Sequence, residues 1–291
     1  MIVLLGARIA ITGAGGIVGR ATRDALARVG YDVVPIMSPA YRGDERDVVI
    51  ADLTQTFPDI GKFTHLVHLA AALPHDRRYR TDSSSGRLTR SIDQNAFTAA
   101  RKYSARVIYA STCSLYDPTC PIEKKEEETN LRIDSDYRSS KRHGELDALQ
   151  MGGVVLRLAA PYGPGIFLST VLAKFIEDAR SGKSLDVWGG GTREQNFVHS
   201  RDIASCIRKI CGEQASGIFN IAAQPIRMRE LGELVVRLCG AGALRMGLYP
   251  DPLEGQFARY SAEKALRCLG WRPTVDLATG VAECLNEEFR I

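Results

Sequence analysis

The sequence predicts an α/β protein built on a doubly wound parallel sheet, followed by a smaller, mixed C-terminal domain. Three observations predict it. Short apolar, β-branched runs alternate with amphipathic helical stretches through the first 160 residues, as in a sheet covered on both faces. A glycine-rich turn joins the first such run to the first helical stretch. After Ala159 the chain becomes rich in Pro and Gly and the alternation lapses. The expected division is a dinucleotide-type domain over 1–160, with 195–222 returning to it, and a mainly substrate-binding domain over 161–291.

Arg8–Thr12 reads as the first strand and the segment to about Val29 as the first helix, closed by Gly30. Strands follow at Tyr31–Met37, Val48–Ile50 and His65–Ala71. Leu73–Leu88, with Arg77, Arg78 and Arg80, reads as a long polar connection, either a surface loop or a substrate lid. A helix is expected over Thr89–Tyr103, a strand over Arg106–Ala110, a helix over Asp136–Gln150 and a strand over Val154–Leu158. The mixed charge run Glu123–Glu128 reads as a solvated face. Farther on, helices are expected at Ser169–Arg180, Asp202–Cys211 and Met228–Cys239, with two short ones near the end. Phe197–His199 reads as a short strand, and Phe219–Ile221 as one that rejoins the main sheet.

Composition sets the class. The chain has 291 residues, 45% hydrophobic and 25% charged, which suits a globular protein. The net charge is +4, with no basic stripe interleaved with aromatics, so nucleic acid is not an expected partner. No run is long enough to span a membrane, and Met1–Ala14 reads as leading into a buried strand rather than as a secretory signal. Seven scattered cysteines without a Cys-x-x-Cys pair argue against a zinc site or a disulfide framework, and suit reduced thiols in the cytoplasm.

The first chemical motif is the turn Gly13–Gly19. Gly13 allows a tight turn, Gly16 close approach of a pyrophosphate, and Gly19 close packing of helix on strand. The free N–H groups at the helix start, at Ile17, Val18 and Gly19, then face an anion. This is the pattern of a Rossmann-type dinucleotide site. An acidic residue at the end of the second strand would mark NAD. Met37 stands there instead, followed by Ser38 and then Arg42, which suits a 2′-phosphate and favours NADP. Asp52 is a candidate for the adenine amino group or for a helix cap.

The second motif is Tyr137 and Lys141, one helical turn apart on one face. An ammonium beside a phenol favours the phenolate, so Tyr137 is expected to act as an acid or base near neutral pH.

In order, the glycine turn, Asp52-Leu53, His68-Leu69-Ala70-Ala71, Ser111-Thr112 and Tyr137-x-x-x-Lys141 resemble the extended short-chain dehydrogenase/reductase superfamily, in particular its NAD(P)-dependent nucleotide-sugar epimerases, dehydratases and reductases. Arg157 through Tyr162-Gly163-Pro164-Gly165, Gly189-x-Gly191, Asn196–Asp202 and Leu269–Pro273 extend the likeness over essentially the whole chain. The resemblance implies that Tyr137 is the acid/base and that Lys141 binds the nicotinamide ribose. It implies that Thr112, four residues before Tyr116, is the hydroxyl partner. Leu53, Leu69, Ala70, Ala71 and Ser111 would line the cofactor; Tyr162, Arg193, Gln195 and Arg259 would meet the substrate. It also implies a nucleotide-sugar substrate and a homodimer, with the Tyr137 helix one candidate for its interface.

The departures matter. Dehydratases of this type carry Asp-Glu after the threonine, where Cys113-Ser114 stand, so a 4,6-dehydratase is not expected. Ala160 replaces the usual Asn, and Gln195 the usual diphosphate-gripping Arg, leaving Arg193 and Arg259 as candidates. The expected activity is 4-keto reduction or epimerisation of a nucleotide sugar. Reduction of a small non-nucleotide carbonyl compound, and a non-catalytic cofactor-binding regulator, are the alternatives.

Overall fold

The protein is described from a computed structural model, which covers residues 6–43, 46–73, 82–120, 124–166 and 170–287. In chain order the first half holds β1 (Arg8–Thr12), α1 (Ile17–Ala27), β2 (Asp32–Met37), β3 (Val49–Ile50), β4 (His65–His68), α2 (Asp82–Lys102), β5 (Arg106–Thr112), α3 (Asp136–Gln150) and β6 (Val154–Leu158). The second half holds β7 (Ala160–Tyr162), α4 (Val171–Arg180), β8 (Ser184–Val187), β9 (Glu194–His199), α5 (Ser200–Cys211), β10 (Gly217–Ile221) and β11 (Pro225–Arg227). It closes with α6 (Met228–Cys239), β12 (Ala243–Met246), α7 (Glu263–Leu269) and α8 (Leu277–Leu285).

Seven strands form one sheet in the order β10-β6-β5-β4-β1-β2-β3. All its pairings are parallel. Period-2 alternation sends the side chains of β1 to opposite faces. Ile9 and Ile11 pack with Leu26 of α1 and Ile203, Ile207 and Ile210 of α5. Ala10 faces the layer of α2 and α3, with Ile92, Ala96, Phe97 and Ala148. The chain runs outward from β1 to β3 and then crosses to β4 on the other side of β1, so the strand order reverses between β1 and β4. A crevice at the carboxyl ends of the strands is the consequence of that reversal.

A second core gathers Leu172 and Ile176 of α4, Leu231 and Val235 of α6, Val281 of α8 and Val187 of β8. Beside it lie a mixed three-stranded sheet, β11-β9-β7, and a parallel pair, β12-β8. The doubly wound sheet and the smaller mixed part are thus both present. β10 does join the main sheet, beside β6, whereas β9 lies in the three-stranded one.

Two expectations change. The helix expected from Thr89 begins at Asp82, which puts the serines 83–85 in α2 rather than in a loop; Arg77, Arg78 and Arg80 lie outside the described residues. Glu123 lies outside the described residues, and the rest of the charge run, 124–128, is a solvated face only in part. Lys125 and Glu127 are buried. Lys125 Nζ donates to Phe257 O at 3.2 Å. Glu127 Oε1 accepts from the Asn220 backbone N–H at 2.8 Å. Within 124–128 alternate residues turn inward, with Lys125 bridging to Tyr260 as in an extended segment. All seven cysteines are free. Among the described residues no helix is long and apolar enough to cross a membrane, and no cluster of ligand-type side chains could hold a metal.

Candidate active site

The glycine turn opens the crevice. Gly13 has φ +66°, and a Cβ there would lie 2.9 Å from the Ala70 backbone nitrogen. A Cβ on Gly19 would lie 2.3 Å from Gly13 O, closer than helix and turn could tolerate. Gly16 donates its N–H to Gly13 O at 3.0 Å and is the N-cap of α1. No side chain caps α1 and no acidic residue stands in its first turn. The first-turn N–H groups at Ile17, Val18 and Gly19 could therefore receive phosphate oxygens with no carboxylate in competition. Sequence reasoning missed Arg20. Its guanidinium donates to Gly15 O at 2.9 Å and Pro164 O at 3.0 Å, bracing the turn against the loop after β7.

The facing wall of the crevice is Leu69, Ala70 and Ala71, all half-buried. Its backbone is held from below: Leu69 and Ala70 both donate N–H to Thr12 Oγ1 at 3.2 Å. Beyond β2, Met37 is buried at the position where NAD-type sites carry an acid. Ser38 is exposed, and Arg42 is exposed with its guanidinium on the carbonyls of Pro39 and Tyr41. Asp52 closes its own turn, its Oδ1 accepting from the Thr54 N–H and hydroxyl. Leu53 is buried, and its carbonyl accepts from Asn95 of α2.

α3 begins where Ser135 caps the Arg138 N–H, one residue before Asp136. It carries Tyr137, half-buried, and Lys141, buried. Lys141 Nζ donates to Ala110 O at 2.8 Å and lies 4.7 Å over the Tyr109 ring. Burial lowers the Lys141 ammonium, opposed by the charges of Asp93 and Glu145. Burial likewise pushes the Tyr137 hydroxyl up, and the charge of Asp93 adds to that. Both causes act against the phenolate, the form that the neighbouring lysine was expected to favour.

Thr112 is half-buried at the end of β5. Its oxygen accepts the Ser114 N–H at 3.1 Å and its hydroxyl donates to Ser114 Oγ at 3.0 Å, capping the short turn Cys113–Leu115. Ser111 turns inward and donates to Glu145 Oε1 at 2.7 Å. Glu145 is held bidentately by Arg157, at 2.8 and 2.9 Å. Arg157 also donates to the Tyr116 hydroxyl oxygen and to Glu127 O. This buried cluster pins α3 to β6, and it places Ser111 in the helix–sheet seam rather than open to a ligand.

The expected substrate contacts are already engaged. Tyr162 is buried against Phe197 and His199, and a Cβ on Gly280 would strike its hydroxyl, so it belongs to the second core. Arg193 donates to Asp251 at 2.9 Å. Arg259 donates to both oxygens of Glu194 at 2.7 Å. Gln195, between Glu194 and Asn196 on β9, is half-buried. Glu194 and Asp251 were not singled out by sequence reasoning; a carboxylate adjacent to the Arg193–Gln195 pair was the available signal.

Known proteins resemble this chain in sequence and in fold. A dTDP-glucose 4,6-dehydratase of Actinoplanes sp. is 29% identical over 195 residues, which cover 64% of this chain and 60% of that relative's length. UDP-glucuronate 4-epimerase 3 of Arabidopsis thaliana is 25% identical over 327 residues, covering 95% of this chain and 75% of that protein. Dehydratases thus stand among the relatives, and likeness does not support setting that reaction aside. The solved UDP-glucose 4-epimerase of Thermotoga maritima, with UDP-glucose, has the same fold: TM-score 0.82 at 21% identity, over 96% of this chain and 97% of that one. The family model described as "NAD dependent epimerase/dehydratase family" matches residues 9–222, from β1 through β10 and so across the whole crevice. On that match the chain belongs to the NAD dependent epimerase/dehydratase family.

Proposed function

We propose that the protein is an enzyme of the short-chain dehydrogenase/reductase type that acts on a nucleotide-activated sugar, by 4-keto reduction or by epimerisation. The observation that carries this reading is Tyr137 and Lys141 one turn apart on α3, with Lys141 Nζ on Ala110 O near the carboxyl end of β5. The close approach of Gly13 to Ala70 and the uncapped start of α1 fit a dinucleotide. Gly13, Gly16, Ile17, Val18 and Gly19 would hold its pyrophosphate, and Leu69, Ala70 and Ala71 would line the opposite wall. The bound nicotinamide supplies the hydride.

The chain's own residues supply the rest. Lys141 orients the nicotinamide ribose. Tyr137 holds a proton at its phenolic oxygen and gives it to a carbonyl oxygen in the reducing direction; in the oxidising direction the same oxygen takes the proton of a sugar hydroxyl. Thr112 would turn its hydroxyl from Ser114 to the substrate oxygen. The buried Met37 and the exposed guanidinium of Arg42 support NADP over NAD.

Two residues support leaving 4,6-dehydration out. Elimination needs an acid and a base beside Thr112. Cys113 is buried, its thiol directed to Arg157 O, with its ionisation pushed up by that burial; Ser114 is a hydroxyl. The two positions thus carry a buried thiol and a hydroxyl rather than a pair of carboxyl groups.

The engagement of Arg193 and Arg259 with carboxylates favours a second reading, a carbonyl substrate without a diphosphate. Cofactor stoichiometry and substrate class decide between these readings. Incubation with 4-keto sugars linked to UDP or dTDP is expected to consume one NADPH per product. Turnover without net consumption would identify an epimerase. Turnover confined to simple ketones would establish the second reading.

A further inference from the structure

Beneath the catalytic helix lies a polar chain that the proposed chemistry does not use. Asp93, on α2, is fully buried. Its Oδ1 lies 3.0 Å from His68 Nε2, and its Oδ2 accepts from the Tyr109 hydroxyl at 2.9 Å. His68 Nδ1 lies 2.6 Å from Thr12 Oγ1. That oxygen already accepts two N–H groups, from Leu69 and Ala70, so its own hydrogen goes to Nδ1. His68 therefore carries its hydrogen on Nε2 and donates it to Asp93. At the other end of the chain, the Tyr109 ring is the surface on which the Lys141 ammonium rests. Gly144 makes the assembly possible: a Cβ there would lie 2.2 Å from the Tyr109 hydroxyl and 2.7 Å from Asp93 Oδ2.

Resting on the reading of Lys141 and the Leu69–Ala71 wall as cofactor contacts, we propose that Asp93 is a positioning residue for dinucleotide binding: through Tyr109 on one side and His68 and Thr12 on the other, its carboxylate holds Lys141 and the Leu69–Ala70 backbone in one register. A buried carboxylate with two side-chain donors is a fixed point, since moving either donor strands a polar group in the interior. The two cofactor walls lie on different elements, and Asp93 is the group to which both are tied. It also supplies counter-charge. The groups that face it are His68 from β4, Tyr109 from β5, and Tyr137 and Lys141 from α3; Glu145 of α3 acts on the same Lys141, and Arg90, one turn away on α2, is paired with Asp147. Lys141 is the cation among those facing groups, and the charge of Asp93 opposes the lowering that burial imposes on its ammonium.

The test is the pH dependence of NADPH and NADH binding to the full-length protein, by titration calorimetry between pH 7 and 10. Asp93→Asn keeps the shape and removes the charge. Tyr109→Phe breaks the same hydrogen-bonded chain but keeps the charge and the ring. Both are expected to weaken binding about tenfold at pH 7, the scale of one lost hydrogen bond. Only Asp93→Asn is expected to move the alkaline loss of binding to lower pH, by about one unit, as Lys141 loses its counter-charge. Mere loosening of the α2–α3 seam would shift both variants alike. Equal shifts, or an alkaline limb unmoved in Asp93→Asn, would overturn the proposal and leave the cofactor reading standing. A wild-type protein that binds neither dinucleotide would sink both.

Discussion

Gly13 and Ala70 meet across the point where the strand order reverses, so closely that a Cβ on Gly13 would lie 2.9 Å from the Ala70 backbone nitrogen. The turn and the facing wall are thus built to one clearance. Gly13→Ala would add that clash to a left-handed backbone, at a cost of about 1 to 3 kcal/mol. Dinucleotide affinity measured by calorimetry is expected to fall with it, by more than the loss of stability alone explains. Unchanged affinity would show that the clearance does not serve a ligand.

Glu145 and Arg157 form a buried pair that also takes in Ser111 and Tyr116. Glu145→Ala leaves the Arg157 cation without its carboxylate, and the expected destabilisation is about 3 to 5 kcal/mol. Denaturant unfolding measures it. A loss under about 1 kcal/mol would mean that the cluster is solvated, as an exposed pair would be.

His65 supplies a pH effect. It is buried on β4, and burial, with the nearby Arg106 cation as a lesser cause, lowers its pKa to about 4. A depressed histidine contributes stability above its unfolded value of about 6.5. That contribution is lost as pH falls toward the folded value. Between those limits the loss approaches about 3 kcal/mol. Stability curves at pH 7 and pH 4 are expected to differ by less in His65→Gln than in the parent protein.

Arg259 and Glu194 test the substrate side. Arg259→Ala strands the nearly buried Glu194 carboxylate, so a destabilisation of about 1 to 3 kcal/mol is expected from that alone. The paired change Arg259→Ala with Glu194→Ala removes both charges. Its KM for a nucleotide-linked substrate is expected to rise if a diphosphate draws Arg259 away from Glu194, and to stay level if the pair is structural.

Much of the fold is legible in the sequence because local and global signals agree. β1, β6 and α3 fall at their expected bounds, since β-branched runs, a glycine turn and a serine cap all mark the same edges. The misreadings arise where a distant partner decides. Lys125 and Glu127 look solvated until Phe257 and Asn220 supply their buried hydrogen bonds from about 100 residues away. Tyr162 sits in a motif, yet Gly280 opens a core space for it. Arg193 and Arg259 read as free cations because Asp251 and Glu194 approach them only in the fold. Asp93 gave no signal, since its partners lie on β4 and β5.

The central claim is that Tyr137 moves the proton in a dinucleotide-dependent reaction on a sugar nucleotide. The direct measurement compares wild-type protein with Tyr137→Phe for product formation from UDP- and dTDP-linked hexoses and their 4-keto forms, with NADPH and NADH supplied. The account predicts that the variant still binds dinucleotide while turnover falls by about 10²- to 10⁴-fold. Turnover within about twofold of wild type would contradict it, since that is far below the contribution of a positioned acid.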